Sequence, residues 1–133
     1  MFNPLKNLFR HLYLKPVKKV GVEFKKLFPH AINIEWTSGL TSDEAIFYQG
    51  EQEYIARFDK RGNLIDYNIN LNIISLPAIV KEVGEKHGEI MNAISIYKRD
   101  GITGYEIIFR NDQLVRFTLL MNASGNILSI KEL

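Results

Sequence analysis

Two stretches of the chain, FDKRGNLI (Phe58–Ile65) and MNASGNIL (Met121–Leu128), spell nearly the same phrase, Asp or Asn followed three positions later by glycine. The first side chain can accept a backbone hydrogen bond, and the glycine can take the left-handed conformation that returns the chain to a ladder. Both stretches read as hairpin connectors. Asn122 follows Asp59 by 63 positions, and Pro77 follows Pro16 by 61. Each proline opens a stretch of helical period, and after each stretch the period changes to two. One α-β-β-β-β unit is therefore written twice, and a helical bundle is excluded.

The first helix is expected from about Pro16 to Phe28, where Val17, Val20, Phe24 and Leu27 form an apolar stripe opposite Lys18, Lys19, Lys25 and Lys26. Pro16 suits a first helical turn and Pro29 ends the helix. The second is expected from Ser75, as N-cap, to about His87, with Leu76, Ile79, Val80 and Val83 as its stripe. Gly84 within it costs about 1 kcal/mol against alanine, which points to close packing there. The inward strand positions read as Ile32-Ile34-Trp36, Ala45-Phe47, Tyr54-Ala56-Phe58 and Ile65-Tyr67-Ile69 in the first unit. In the second they read as Ile94-Ile96, Tyr105-Ile107-Phe109, Val115-Phe117-Leu119 and Leu128-Ile130. Turn signals at Ser38-Gly39, Gln49-Gly50, Asp100-Gly101 and Asn111-Asp112 separate the remaining strands.

The fold expected is α+β, with tandem α-β4 repeats at 15–72 and 73–133 forming an antiparallel sheet whose helices pack on one face. Residues 1–14 stand apart as a basic amphipathic segment. At 133 residues, with 46% hydrophobic content, one ordered domain is expected. No cysteine is present, so disulfides and thiolate chemistry are excluded. Residues 1–26 hold seven Lys/Arg and one acid, so the net +2 divides into a basic head and an acidic body, which speaks against nucleic-acid binding by the body. The head, MFNPLKNLFRHLYLKP, has no uninterrupted apolar run of the secretory kind.

Four stretches carry a family resemblance: FKKLFPHAINIEW (Phe24–Trp36), the FDKRGNLI turn, ISLPAIVKEV (Ile74–Val83) and GYEIIF (Gly104–Phe109). Over about residues 17–133 the chain resembles the PepSY-like domains grouped as β-lactamase-inhibitor-like proteins of Bacteroidetes-type bacteria. The resemblance implies helices on one face of a curved antiparallel sheet, an open opposite face, a non-catalytic binding or inhibitory role, and export to the periplasm. The chain departs from it in the missing secretory pattern and in its basic N-terminal extension.

No catalytic or metal-binding constellation emerges. His11, His30 and His87 are isolated, and Asp59-Lys60-Arg61-Gly62-Asn63 lacks the alternating oxygens of a calcium loop. The chain is expected not to be an enzyme and to need no cofactor or metal. The candidate site is the open sheet face, with Tyr48, Ile55, Arg57, Tyr97, Glu106, Arg110 and Arg116 as its contacts to a protein or peptide. Aromatic and Arg side chains are those enriched in interface cores, whereas a plain solvated face would carry the same Glu–Arg mixture as cross-strand pairs. A second candidate is the N-terminal segment, whose Leu5, Leu8, Phe9 and Leu12 form a stripe flanked by Lys6 and Arg10. Such a segment docks on its own domain or on a partner, or contacts a membrane surface peripherally.

Overall fold

Between Pro16 and Pro29 the apolar positions recur every three or four residues, and the chain is helical there, α1 spanning Lys18–Leu27. The computed structural model describes residues 15–133, and its elements fall into two units that divide between Asn68 and Ile69. Helix α1 starts later than Pro16 because Val17, its N-cap, stays extended at φ −62° and ψ 150°. At the other end Phe28 leaves the helical region ahead of Pro29, as a residue before proline is driven to do.

In the first unit α1 lies on a meander of β1 (Ile32–Ser38), β2 (Ser42–Gln49), β3 (Gln52–Asp59) and β4 (Leu64–Asn70). The strands neighbour one another in chain order, and the β1–β2 and β2–β3 pairs are antiparallel. Val20 and Phe24 pack on Trp36, Ala45, Phe47, Ala56 and Phe58, all buried. The Phe24 ring meets Phe47 and Trp36 edge-on at 5.0 Å. Edge-to-face contacts of this kind add about 1 kcal/mol to the burial itself.

The second unit has the same order of elements with a mostly aliphatic core. Helix α2 spans Ala78–Glu85, shorter than the expected run from Ser75. Ser75 instead ends a 3-10 turn, Ile73–Ser75, capped by Asn72, whose Oδ1 accepts the Ile74 N–H at 2.9 Å. Leu76 is extended at ψ 146° ahead of Pro77, and that separates the turn from the helix. The meander is β5 (Glu89–Lys98), β6 (Gly101–Arg110), β7 (Arg116–Asn122) and β8 (Ile127–Glu132). Its core holds Val80, Ala93, Ile107, Phe109, Leu119 and Met121. Gly84 does mark close packing, since a Cβ there would stand 2.6 Å from the Ile90 Cδ1.

The repeated phrase forms the same turn twice. Asp59 Oδ1 accepts the N–H groups of Arg61 and Asn63, and Asn122 Oδ1 accepts those of Ser124 and Asn126, all at 2.9–3.0 Å. Gly62 and Gly125 have φ of 91° and 88°. Each turn also abuts its own helix: a Cβ on Gly62 would lie 3.1 Å from the Lys19 carbonyl oxygen, and one on Gly125 would lie 2.5 Å from the Ile79 Cδ1. A third turn of the same kind joins β6 to β7, with Asn111 Oδ1 accepting from Gln113 and Val115. There Leu114 occupies the glycine position at φ 63°.

Bulges reset which side chains face the helix. In β1, Ile32 pairs with Tyr48 and Glu35 with Ile46, so Asn33 and Ile34 together oppose Phe47, and Asn33 takes φ 53°. Ile32 therefore falls on the face away from α1, against the expected inward set. In β5, Ile90 pairs with Phe109 and Asn92 with Ile108, which leaves Met91 as an extra residue. Beyond it Ala93 and Ser95 face α2, while Ile94 and Ile96, expected inward, face away. In β8 a register shift puts Ile127, not Leu128, opposite Met121.

The left-handed positions carry a stability prediction. Gly62→Ala and Gly125→Ala should each cost about 1–2 kcal/mol, because an L side chain is strained there. Leu114→Gly should instead gain about 0.5–1 kcal/mol, since relief of the strain exceeds the flexibility added to the unfolded chain. Urea unfolding midpoints of the three variants check both signs.

Candidate functional site

In the first unit the face of the sheet turned away from α1 is built in cross-strand rows. Tyr48 stands between Ile32 and Glu53, and Ile46 between Glu35 and Ile55. The Tyr48 hydroxyl donates to Glu53 Oε2 at 3.2 Å. Glu44 opposes Arg57 in the next row. The Arg57 guanidinium makes a two-pronged pair with Asp66, its Nε donating to Oδ1 at 3.0 Å and a terminal nitrogen to Oδ2 at 2.8 Å. Hydrogen bonding to Asp66 raises the Arg57 pKa against the opposing effect of its partial burial, so the charge is permanent. The centre of the face is apolar, with Ile46 6% and Ile55 5% exposed. Ile55 was expected as a contact residue, yet its side chain is already withdrawn from water, so it forms the floor of the face and not its accessible surface.

The second unit presents the same kind of face. Ile94 and Ile108 are buried at its centre, Glu106 stands between Ile94 and Leu120, and Asn92 opposes Ile108. At one end Arg110 stands opposite both Glu89 and Arg116. A guanidinium nitrogen of Arg110 donates to Glu89 Oε1 at 2.6 Å, which offsets the repulsion expected of two facing arginines.

Tyr97 is the expected contact that the structure moves. Alternation from Ala93 and Ser95 puts it on the α2 side of β5, because the extra residue in this stretch belongs to β6. Its proximity to Tyr105, which faces α2, agrees. Burial, and to a lesser degree Tyr97, raises the Tyr105 pKa. Alternation counted from Ile94 and Ile96 as inward points Tyr97 the other way, and the extra residue Met91 is what puts Ala93 and Ser95 on the helix side instead. Tyr48, Arg57, Glu106, Arg110 and Arg116 lie on the faces turned away from the helices, three groups of them arriving from the second unit and two from the first. Leu5, Leu8, Phe9 and Leu12 lie outside the described residues.

A polar cluster missed in the sequence lies at the other end of β2. Asp43 is fully buried, and Ser38 Oγ donates to its Oδ1. Lys60 Nζ donates to the same oxygen and, at 2.8 Å, to Ser38 Oγ, while the Val17 N–H donates to Oδ2 at 3.1 Å. Burial pushes the Asp43 carboxyl up, but the bonds from Lys60, Ser38 and Val17 more than offset it, so its pKa is lowered. A Ser beside a Lys resembles a nucleophile–base pair. Here both side chains are spent on the buried carboxylate, the lysine and the serine each donating to Asp43 Oδ1. The cluster ties the start of α1, the β1–β2 turn and the β3–β4 turn together. Only an Asp amid polar neighbours (TSDEAIF, Thr41–Phe47) signals it in the sequence.

His87 is a packing residue, its Nδ1 3.0 Å from the Val83 carbonyl oxygen and its ring 5.6 Å from that of Phe109. Among the described residues no group of three or more His, Cys, Asp or Glu converges to hold a metal ion, and no helix is long and apolar enough to cross a membrane.

No protein-family model matches the chain, and no curated protein matches it by sequence. Solved structures do. A BLIP-like protein from Bacteroides fragilis superposes with a TM-score of 0.75 at 20% identity, covering 91% of this chain and 89% of that one. A DUF2874 family protein from Bacteroides ovatus gives 0.79 at 18% identity, over 90% and 89%. A candidate periplasmic protein from Bacteroides eggerthii gives 0.79 at 15%, over 90% of each chain. The chain has a BLIP-like α+β fold.

The buried carboxylate carries a pH prediction. A folded-state pKa below the unfolded value of 3.8 contributes stability that is complete above that value and lost as pH falls through the folded one. Asp43→Asn should cost about 3 kcal/mol at neutral pH, because it strands the Lys60 ammonium. It should also flatten the decline of stability below the ordinary carboxylate range, leaving the part due to Asp59, whose pKa is lowered by hydrogen bonds from Asn63. Thermal melts across acid pH, on wild type and variant, measure both effects.

Proposed function

We propose that this chain is a non-catalytic binding module of the PepSY-like, β-lactamase-inhibitor-like type. It holds a protein or peptide through the sheet faces turned away from its helices, and its target is an extracytoplasmic enzyme or its peptide ligand. The observation that carries the reading is the make-up of those faces. In each unit an apolar floor, Ile46 and Ile55 or Ile94 and Ile108, is bordered by an arginine fixed by its own acid, Arg57 on Asp66 or Arg110 on Glu89. An apolar centre with an ordered polar rim is the composition of protein interfaces, and a pre-fixed guanidinium loses little freedom on binding. The BLIP-like neighbour supports the binding role, and the Bacteroides eggerthii neighbour supports an exported location.

The proposal is tested by capture from the native cell extract, using the wild type, Tyr48→Ala/Arg57→Ala in the first unit and Arg110→Ala/Arg116→Ala in the second. Exposed pairs contribute only about 1 kcal/mol, so the melting temperatures should stay close to wild type. The wild type should retain a specific protein that each double variant recovers at roughly tenfold lower yield. Equal recovery by all three would refute the assignment of these faces.

A further inference from the structure

Helix α1 offers a surface of a different character, on the side away from the core. Lys18, Lys19, Lys25 and Lys26 are exposed along it, with Lys15 just before its start. None of these lysines is engaged in an ion pair with a described residue. Where the β3–β4 turn rests against the helix, the two enclose an open groove of about 500 Å³ lined by Lys18, Lys19, Val22, Glu23, Arg61 and Gly62. Its shape is fixed from below, because Gly62 sits against the Lys19 backbone in a conformation that L side chains rarely adopt. Val22 is 47% exposed there, an apolar side chain that α1 does not need for its own packing.

We propose that this groove and the lysine ridge beside it bind an extended acidic polypeptide segment carrying an apolar side chain between its carboxylates. The apolar side chain seats on Val22, and the carboxylates meet Lys18, Lys19 and Arg61. From Lys18 to Lys25 the helix rises about 10 Å, the span of roughly three residues of extended chain, so carboxylates three residues apart engage both ends of the ridge. A flat bilayer would meet the lysine tips and leave the groove unused. A nucleic acid would face Glu23 in the groove and Asp59 in the adjoining turn, and the groove has no aromatic ring on which a base could stack. This surface is independent of the sheet faces, so either assignment can fail alone.

The test is a titration of the full, isotopically labelled chain with the capped octapeptide Glu-Glu-Leu-Glu-Glu-Leu-Glu-Glu, followed by amide NMR shifts. Shifts should centre on Lys18, Lys19, Val22 and Gly62, and the affinity should fall as salt is raised. Lys18→Glu/Lys19→Glu should weaken binding by about tenfold or more, and Arg61→Gln by less, with melting temperatures near that of the wild type. A peptide with Ser for Leu should bind more weakly, which separates the groove from charge alone. The proposal is overturned if the shifts spread over lysines without reaching Val22 and Gly62, or if charge reversal leaves the affinity unchanged. It is equally overturned if phosphatidylglycerol vesicles bind the chain while the peptide does not.

Discussion

Seating a short helix on a four-stranded meander is the constraint on which each unit depends. A meander of six- to ten-residue strands has one apolar face too many to leave in water, and a helix of ten residues or fewer is marginal alone. Each supplies what the other lacks. Val20 and Phe24 in one unit, and Val80 with the close approach at Gly84 in the other, are the points where the two surfaces meet. The two cores solve the same problem with different matter: the first with interlocking aromatic rings, the second with mostly aliphatic side chains beside a stacked Phe109–Phe117 pair and a glycine that lets the helix settle closer. The repeated turns belong to this arrangement, since each glycine both reverses the chain and leaves room for the helix above it.

The second constraint is which side of the sheet a residue occupies. Strands here do not alternate cleanly. Ala45-Ile46-Phe47 and Ile107-Ile108-Phe109 bury consecutive residues, as strands do when both faces are apolar at the centre. Phase must then be read from pairing, and one extra residue reverses it. Met91 moves Ile94 from the helix side to the other, and Asn33 does the same for Ile32. Tyr97 follows the phase of Ala93, not that of its isoleucine neighbours.

The two kinds of surface differ in make-up. Those opposite the helices combine an apolar floor with arginines paired to acids, the make-up on which the proposed binding role rests. The outer side of α1 carries exposed lysines that form no ion pair with a described residue, beside an open groove, and these features carry the proposal of an acidic segment there. Asp43 belongs to neither. Its carboxylate joins three chain segments and fixes the entry of α1 onto its sheet, and its cost of burial is met by three donors.

The amino-acid sequence by itself determined the element order, the two glycine turns and the packing meaning of Gly84, because these depend on local period and on backbone conformations that few residues tolerate. It also placed Tyr48, Arg57, Glu106, Arg110 and Arg116 on faces away from the helices. Only the tertiary structure decided that Tyr97 lies on the helix side, that Ile55 is a buried floor residue, and that Asp43, Ser38, Lys60 and Val17 meet. The reason is physical: a bulge inverts the facing of every residue beyond it while changing no local preference, and a buried ion network joins residues whose separation along the chain carries no signal.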